Sequence, residues 1–427
     1  MADSQRVGIL CGGGPAPGIN SVIGAATIRA LVSGIGVVGI RDGFKWLMQG
    51  NTGCALPLSI EAVSRIHFTG GSYLGISRAN PTRDPRHLEA ATSALQQLGI
   101  DKLITIGGDD TAFSAMRLTS HAGGRLSVVH VPKTIDNDLD LPHGIPTFGF
   151  QTARHVGVEL VKNLMVDAKT TSRWYLIVAM GRKAGHLALG IGKAAAATLT
   201  IIPEEFGDGR LRLDQVIDVL VGAIIKRKSL GHDDGTAILA EGLVEQLEPR
   251  DLETFGELER DEHDHVRLAE VNLGDVVKAR LRQRLAQLGL QTSLVCKDIG
   301  YELRCADPIP FDMEYTRDLG YCAAQFLLDG GTDAMVTLVD GRFHPQPFSE
   351  MLDPRTGRTR VRLVDVSSEQ YEIARRYMVR LRPEDFDEPA SLAALANVIH
   401  RSPDEFRHMF GYLVSDRAID HDLQLTA

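Results

Sequence analysis

The 427-residue sequence has little of what marks extracellular, membrane or metal-binding proteins. Its five cysteines form no C-x-x-C pair and no Cys/His metal spacing, which predicts reduced, mostly buried thiols. The most apolar stretch, 187–202, is interrupted by Lys193 and by glycines, so it is too short and too broken to span a bilayer. The chain also does not open with a basic segment followed by an apolar signal-type run. These absences predict a cytoplasmic protein without a membrane partner.

Positive charge is also scarce, because 46 Lys and Arg residues face 55 Asp and Glu residues, giving a net charge of -9. An acidic protein is a poor candidate for general binding of nucleic acid. Any phosphate substrate must therefore be held by local positive charge. The 44% hydrophobic content and the length are typical of a globular chain of two or three domains.

Short apolar runs alternate with helix-like segments along the chain. The runs that predict strands are 6–10, 36–40, 103–107, 127–132, 174–180, 199–202 and 236–240. The segments that predict helices are 19–33, 86–98, 111–120, 151–168, 184–196, 213–228, 274–288 and 314–329. Apolar strands separated by helices indicate parallel α/β sheets, and seven of them favour two α/β domains over one. Ligands of such sheets bind at the carboxyl ends of the strands, where glycines and charges cluster in this sequence.

A glycine-rich segment, Gly12–Asn20 (GGGPAPGIN), lies directly between a predicted strand and a predicted helix. Glycines allow a ligand to approach the backbone closely, and a helix N-terminus favours an anion. The segment is neither a lysine-bearing phosphate loop nor the G-x-G-x-x-G dinucleotide fingerprint. A tight strand-to-helix turn would explain it equally well.

The segment 106–111 (IGGDDT) also follows a predicted strand. Two glycines followed by carboxylates suit a phosphate accompanied by Mg²⁺, which prefers oxygen ligands and retains waters. The alternative is a helix N-cap formed by Asp109 or Asp110.

A third segment, 132–138 (PKTIDND), places a cation beside two carboxylates after another apolar strand. Such a group can deprotonate a hydroxyl and neutralise a transferring phosphoryl group. The alternative is a salt-bridged turn, since Asn and Asp are turn formers.

Taken in order, four segments resemble the phosphofructokinases: Gly-Gly-Asp-x-Thr, Pro-Lys-Thr-Ile-Asp-Asn-Asp, Met180-Gly181-Arg182 and Glu241-Gly242. The resemblance runs from about residue 6 to residue 330. It implies an α/β fold of two Rossmann-like domains with parallel sheets and an active site in the cleft between them. It also implies phosphoryl transfer to O1 of fructose 6-phosphate, Mg²⁺ as cofactor and a homo-oligomer, with a homodimer favoured. Sedoheptulose 7-phosphate is an alternative acceptor.

The resemblance assigns roles to single positions. Asp136 matches the general base, Asp109 the magnesium ligand, and Gly13 the glycine whose backbone contacts the donor diphosphate. Residues that match the sugar-phosphate site are Thr134, Ile135, Asp136, Met180, Gly181, Arg182, Glu241, Tyr301, Glu302, Leu303 and Arg304. Among these, Arg182 would bind phosphate, Glu241 the sugar hydroxyls, and Arg304 the 6-phosphate.

Several positions allow two interpretations or depart from the family pattern. Arg78 matches a donor-site arginine and Arg173 a subunit-crossing arginine, and each could equally be a surface residue. The bacterial ATP-using enzymes have His where Tyr301 stands. They also carry a subunit-crossing arginine near Val295, where this chain has only Lys297 nearby.

Two positions predict the phosphoryl donor. ATP-using members usually have Gly where Asp110 and Lys133 stand, whereas pyrophosphate-using members typically have Asp and Lys. A carboxylate at position 110 would lie about where the α-phosphate of ATP must go. Like charges about 4 Å apart repel by about 1 kcal/mol in water and about 4 kcal/mol at an effective dielectric of 20. Lys133 can stabilise charge on the transferring and leaving phosphates.

The resulting prediction is a pyrophosphate-dependent member, with an ATP-dependent 6-phosphofructokinase as the alternative. A lipid or nucleotide kinase would not require the PKTIDND and MGR segments. A catalytically silent regulatory subunit would be expected to lose Asp136. A dinucleotide oxidoreductase would carry the missing G-x-G-x-x-G fingerprint.

The predicted domains follow from these assignments. Residues 1–147 form an N-terminal α/β domain with the donor-phosphate and magnesium site, completed by parts of 303–360. Residues 148–302 form a second α/β domain with the sugar-phosphate site, and residues 361–427 form a helical extension. A charged stretch at about 244–273 is interpreted as a solvated insertion. Its Asp261, His263, Asp264 and His265 offer an alternative metal site.

Overall fold

The computed structural model describes residues 6–207, 209–253, 272–355, 357 and 359–415. The chain divides into two compact units. Unit 1 comprises Met1–Val156 and Tyr301–Arg362, and unit 2 comprises Gly157–Gly300 and Leu363–Ala427. The chain therefore begins in unit 1, passes to unit 2, returns to unit 1 and ends in unit 2.

Strands and helices alternate over most of the described residues. The strands are β1 (Arg6–Cys11), β2 (Gly36–Ile40), β3 (Ala55–Pro57), β4 (Ile100–Gly107), β5 (Ser127–Pro132), β6 (Arg173–Ala179), β7 (Leu199–Ile201), β8 (Gly235–Ala240), β9 (Ser293–Ile299), β10 (Ala334–Val339) and β11 (Arg342–Pro347). The helices are α1 (Ile19–Val32), α2 (Ile60–Val63), α3 (Pro85–Gln97), α4 (Asp109–Ala122), α5 (Phe150–Thr171), α6 (His186–Ala195), α7 (Leu213–Ser229), α8 (Leu243–Gln246), α9 (Pro249–Glu253), α10 (Leu273–Gln287), α11 (Tyr301–Arg304), α12 (Pro310–Leu328), α13 (Glu369–Arg376), α14 (Pro383–Asp387), α15 (Pro389–Val398), α16 (Pro403–Phe410) and α17 (Tyr412–Ser415).

Unit 1 is built on a seven-stranded sheet in the order β11-β10-β5-β4-β1-β2-β3. The five inner strands run parallel, whereas β11 and β3 pair antiparallel at the two edges. Nearly every side chain of β1 and β5 is buried, as expected of parallel strands covered on both faces.

The register of this sheet brings three chain segments together. Cys11 at the end of β1 pairs with Ile106, and Gly107 at the end of β4 pairs with Pro132. The segments that follow β1, β4 and β5 therefore leave the sheet side by side at its carboxyl edge, where ligands of α/β sheets bind.

Unit 2 is built on a four-stranded parallel sheet in the order β7-β8-β6-β9. Ala179 at the end of β6 pairs with both Ala240 and Ile299. Met180, Glu241 and Gly300 are consequently the first residues beyond three neighbouring strands at one edge.

The C-terminal helices complete the core of unit 2. Apolar side chains of these helices and of the segment between them, among them Leu381, Phe386 and Phe406, are buried in one cluster with the strands and α7. A buried ion pair also fixes this segment, because the guanidinium of Arg380 lies 2.6 Å from a carboxylate oxygen of Glu205. The same guanidinium donates to the carbonyl of Thr200 in β7. The segment therefore belongs to the core of this unit.

The prediction of parallel α/β sheets in two domains is confirmed, and each of the seven predicted strands is present within three residues of its expected ends. The thiol prediction is only partly right. Cys11 and Cys54 are buried, but Cys296 and Cys322 are half-buried and Cys305 is exposed. All five are free thiols.

Two further outcomes concern membranes and metals. Among the described helices, none is both long and apolar enough to cross a bilayer. The alternative metal residues Asp261, His263, Asp264 and His265 lie outside the described residues. Within the described ranges, no three potential metal-ligating side chains cluster.

Candidate active site

Backbone hydrogen bonds join the three segments at the carboxyl edge of the unit 1 sheet. The N–H of Gly12 donates to the carbonyl of Ile106 (2.8 Å), and the N–H of Lys133 donates to the carbonyl of Gly107 (2.7 Å). The ladder therefore continues past the strand ends. It fixes the glycine-rich segment, the GGDDT segment and the PKTIDND segment against each other.

Gly12 leaves no room for a larger residue, and Gly13 borders the side chain of Lys133. A methyl group built on Gly12 would lie 2.5 Å from Oγ1 of Thr111, which is a clash. Gly13 has a left-handed backbone with φ of 85°, and a methyl group on it would lie 3.5 Å from Nζ of Lys133. The N–H of Gly13 itself donates to the carbonyl of Ser77 (2.9 Å). Gly13 thus provides space next to the lysine.

The GGDDT segment starts helix α4. Gly108 occupies the N-cap position, and Asp109 and Asp110 form the first helical turn. The alternative prediction, an N-cap formed by Asp109 or Asp110, is therefore wrong, because both aspartates lie inside the helix. Oδ1 of Asp109 accepts the N–H of Asp110 (2.9 Å). Asp110 is exposed, whereas Asp109 is half-buried. Carboxylates in a first turn are stabilised by the helix dipole.

Lys133 is the buried cation of this edge, with 4% of its surface exposed. Its Nζ donates to the carbonyl oxygen of Gly14 (2.5 Å). Burial lowers the pKa of Lys133 to about 8, and the negative charges of Asp136 and Asp138 oppose that shift. Burial also raises the pKa of the Cys11 thiol to about 12, so this neighbour is uncharged at neutral pH.

The loop Thr134–Asp138 carries the predicted base. The N–H of Asp136 donates to the hydroxyl of Thr134 (3.0 Å), and the hydroxyl of Thr147 donates to the carbonyl of Thr134 (2.7 Å). Ile135 is buried, so its contribution to a ligand is limited to its backbone. Asp136 is half-buried at the centre of this loop.

Helix α11, Tyr301–Arg304, belongs to unit 1. A methyl group on Gly14 would lie 3.2 Å from Nη1 of Arg304, and the charge of Arg304 contributes to lowering the pKa of Lys133. The Arg304 guanidinium stacks 4.5 Å from the ring centre of Tyr301, which is largely exposed. Leu303 is fully buried, so its side chain anchors the helix. The structure thus places Arg304 beside the glycine-rich segment.

Two of the predicted substrate segments meet at the edge of the unit 2 sheet. The N–H of Gly181 donates to Oε2 of Glu241 (3.0 Å), and the N–H of Met180 donates to the carbonyl of Ile299 (3.0 Å). Gly181 has φ of 144°, and a methyl group on Gly242 would lie 3.0 Å from the carbonyl of Arg182. The two segments are therefore packed backbone to backbone.

A cavity of about 400 Å³ lies beside these segments within unit 2. Its lining includes Arg182, Lys183, Glu204, Gly242, Gln246 and Leu363. The carboxylate of Glu204 accepts the N–H of Gly185 (2.9 Å) and the N–H of Val364 (3.0 Å). Glu204 therefore holds the end of the Met180–Gly185 loop, a role that the sequence did not reveal.

Arg78 and Arg173, which the sequence allowed as either site or surface residues, lie in different surroundings. Arg78 is exposed and follows Ser77, the residue bonded to Gly13, so it lies next to the glycine-rich segment. Arg173 starts β6, and its Nε lies 3.9 Å from Asp167 in the same unit. Neither assignment is decided by these contacts.

Comparison with known proteins adds to this geometry. The Phosphofructokinase family model matches residues 6–327. The chain is 53% identical to the pyrophosphate–fructose 6-phosphate 1-phosphotransferase of Thermotoga maritima, with 95% of this chain and 98% of the relative covered. It is 48% identical to a protein of the same name from Naegleria fowleri, with 96% and 95% covered.

A solved structure of a pyrophosphate-dependent phosphofructokinase from Nitrosospira multiformis has the same fold. It superposes with a TM-score of 0.65 at 18% identity, covering 88% of this chain and 91% of that one. The resemblance that the motifs predicted is confirmed by the match over three quarters of the chain and by two full-length relatives. This chain belongs to the phosphofructokinase family.

Proposed function

We propose that the chain catalyses reversible transfer of a phosphoryl group from pyrophosphate to O1 of fructose 6-phosphate. The products are fructose 1,6-bisphosphate and phosphate. The observation that carries the donor assignment is Lys133 beside Gly13, together with Asp110 in the first turn of α4, both at positions where ATP-using members usually have glycine. The names of the two full-length relatives support the same activity.

Donor choice follows from charge and space. Lys133 is buried and its ammonium lies next to Gly13 and Gly14, where it would bind the phosphates of pyrophosphate. Asp110 is exposed in the first turn of α4, where its carboxylate and bulk oppose a third phosphate. Pyrophosphate avoids that repulsion and gains the charge stabilisation from the lysine.

The proposed reaction moves one proton and one phosphoryl group. Asp136 accepts the proton of the sugar 1-hydroxyl while that oxygen forms a bond to the nearer phosphorus of pyrophosphate. The bond from this phosphorus to the bridging oxygen breaks, and phosphate leaves. Lys133 stabilises the charge that develops on the transferring and leaving groups. In the reverse direction Asp136 returns the proton.

Mg²⁺ is the cofactor that we propose with these substrates. The ion is commonly held by one or two carboxylates together with substrate phosphates and waters, so it does not need three protein ligands. The half-buried carboxylate of Asp109, two residues from Gly107 at the strand end, fits that requirement. When bound, the ion neutralises phosphate charge; Asp109 would hold it on the donor side.

The acceptor site is proposed on the residues that the resemblance assigned. Arg182 would bind phosphate, Arg304 would bind the 6-phosphate, and Glu241 would accept hydrogen bonds from sugar hydroxyls. Thr134 and Ile135 would contact the sugar phosphate, with Met180, Gly181, Tyr301 and Glu302 completing the site. A homodimer and a cytoplasmic location stay predictions.

A donor panel tests the proposed function. Purified protein is assayed with pyrophosphate, ATP and GTP as donors, against fructose 6-phosphate and sedoheptulose 7-phosphate with Mg²⁺. We expect turnover with pyrophosphate and fructose 6-phosphate, and little or none with the nucleotides. Turnover with ATP alone would instead assign the chain to the ATP-dependent members.

The variant Arg304→Ala tests the acceptor site. Loss of a charge-assisted contact with the 6-phosphate should raise the apparent KM for fructose 6-phosphate more than the KM for pyrophosphate. Steady-state kinetics with each substrate varied in turn measure the two effects. Because Arg304 lies beside Gly14 and Lys133, the reverse order would assign this arginine to the donor phosphate.

The pH dependence tests the role of Lys133. With its pKa lowered to about 8 by burial, Lys133 is a cation below that pH and loses its charge above it. We therefore expect kcat/KM for pyrophosphate to fall as pH rises through about 8. Since pyrophosphate also titrates, the control is Lys133→Arg, whose guanidinium stays charged. The ratio of variant to parent should rise across this range; a flat ratio would show that the lysine charge is not responsible.

A further inference from the structure

Arg362 lies beyond residue 327, the last residue matched by the family model, and in none of the motifs that identified the chain. We propose that Arg362 is a positioning residue, which holds the loop that carries Asp136 in its catalytic geometry. The inference rests on the proposed role of Asp136 as general base.

The guanidinium of Arg362 makes three hydrogen bonds to the residues that follow Asp136. Nε donates to the carbonyl of Asn137 (3.1 Å), Nη2 donates to Oδ1 of Asn137 (2.5 Å), and Nη1 donates to the carbonyl of Ile145 (2.8 Å). The backbone N–H of Arg362 donates to the carbonyl of Asp138 (2.8 Å). Arg362 is thus bonded to both residues directly after the base.

Asn137 is where the loop needs this support. Its φ of 58° is left-handed, a conformation that asparagine tolerates better than most residues but that is still unfavourable. The side-chain oxygen of Asn137 accepts from Arg362 and also from the N–H of Thr147 (3.0 Å). The hydroxyl of Thr147 donates in turn to the carbonyl of Thr134. The network therefore fixes the backbone on both sides of Asp136.

Charge and shape both make arginine suited to this position. Burial lowers the pKa of Arg362, and the neighbouring carboxylates of Asp140 and Asp138 oppose that shift. The planar guanidinium donates in several directions at once, whereas a lysine ammonium offers one point of charge on a flexible stem. Arg362→Lys would keep the positive charge and lose the planar set of N–H donors that bond to Asn137 and Ile145.

Position matters because a general base acts only within hydrogen-bond reach of the proton it takes. A displacement of about 1 Å at a catalytic group can lower turnover about 100-fold. Loosening Asn137 should therefore lower kcat while changing the KM for each substrate much less, because Arg362 does not itself bind either substrate in this proposal.

The experiment compares Arg362→Lys and Arg362→Ala with the matched control Arg360→Ala. Arg360 is two residues away and about half exposed, and its guanidinium donates to the carbonyl of Leu352 and lies 3.8 Å from Asp140. We expect kcat to fall about 10- to 100-fold in both Arg362 variants, while KM for each substrate stays within a few-fold of the parent. In Arg360→Ala, kcat should stay near that of the parent. Thermal unfolding identifies any variant that fails to fold. If Arg362→Ala does not fold, the kcat of Arg362→Lys decides between the two outcomes.

A double-mutant cycle adds a readout that a general loss of stability would not give. Asn137→Gly removes the side-chain acceptor but accepts positive φ. If Arg362 acts through Asn137, Arg362→Lys should lower kcat clearly less in the Asn137→Gly background than in the parent. Equal effects in the two backgrounds, or parent-like kcat in a folded Arg362→Lys variant, would overturn the proposal.

The parent assay separates this inference from the proposed function. A parent without pyrophosphate turnover but with ATP turnover would refute the donor assignment alone, and the cycle would then be measured with ATP. If the parent turns over pyrophosphate and the Arg362 variants have the same kcat as the parent, the positioning role alone is refuted.

Discussion

Replacing Asp136 with alanine is expected to lower turnover with pyrophosphate and fructose 6-phosphate about 100- to 10,000-fold, because the step would lose its proposed general base. The KM values should change much less, since the proposed role of Asp136 is proton transfer in the transition state. The fold should persist, because Asp136 is only half-buried in a loop held by Thr134, Thr147 and Arg362. Steady-state kinetics in both directions measure the loss.

Asp140→Asn is the matched control for this variant. Asp140 belongs to the same loop region and lies near Arg360, about 44% exposed. Its substitution removes one carboxylate charge at a similar place and should leave kcat within a few-fold of the parent. Near-parent turnover in a purified, folded Asp136→Ala variant would mean that another group takes the proton.

The second expected result concerns donor choice. Asp110→Gly removes the charge and bulk that we propose oppose the α-phosphate of ATP. The double variant with Lys133→Gly also removes the cation that we propose stabilises pyrophosphate. We expect pyrophosphate turnover to fall in both variants and further in the double one. ATP, inert or nearly so with the parent, should gain measurable turnover or binding once Asp110 is gone.

Asp110→Asn separates the two contributions, because asparagine keeps the bulk of the side chain and removes its charge. Each variant is assayed with pyrophosphate and with ATP at saturating fructose 6-phosphate. The folded fraction must also be compared, because glycine in the first turn of α4 weakens the helix by up to about 1 kcal/mol. Unchanged pyrophosphate turnover in the double variant would refute the proposed roles of both residues.

The interior of the fold could be predicted from the sequence because its strands are almost continuously apolar. β1, β5 and β8 are largely buried on both faces, and the sequence shows this as short runs with few polar residues. β9 was missed for the opposite reason. It is the edge strand of the unit 2 sheet, and Lys297 and Asp298 are exposed within it.

The hairpin of β10 and β11 was also missed, although its turn carries a signal. Asp340 and Gly341 form the connection, both with positive φ, as the tightest hairpin turns require. An Asp-Gly pair between apolar runs favours such a hairpin. Here the second strand, Arg342–Pro347, is rich in polar residues and proline, which hid the pattern.

The motif residues that follow β1, β4, β5, β6 and β8 could be predicted because each lies within a few residues of a recognisable strand. Arg362 could not, because it is an isolated arginine separated from Asn137 by 225 positions along the chain. Glu204 is similar: its two acceptor bonds reach Gly185 and Val364, and no local pattern connects these residues. Contacts of this kind are set by packing between distant segments, which periodicity and turn chemistry do not encode.

The sheet of unit 1 includes a strand, β10, that is synthesised long after its neighbour β5. This late synthesis affects how the chain folds on the ribosome. β5 ends at Pro132, and the strand that covers its outer edge, β10, starts only at Ala334. At synthesis rates of about 5–20 residues per second, the intervening stretch of roughly 200 residues takes about 10–40 s to emerge. During that time the apolar edge of β5 can pair with another nascent chain. Protection by chaperones is therefore most needed before β10 emerges, and slower translation of 133–333 would lengthen the exposure.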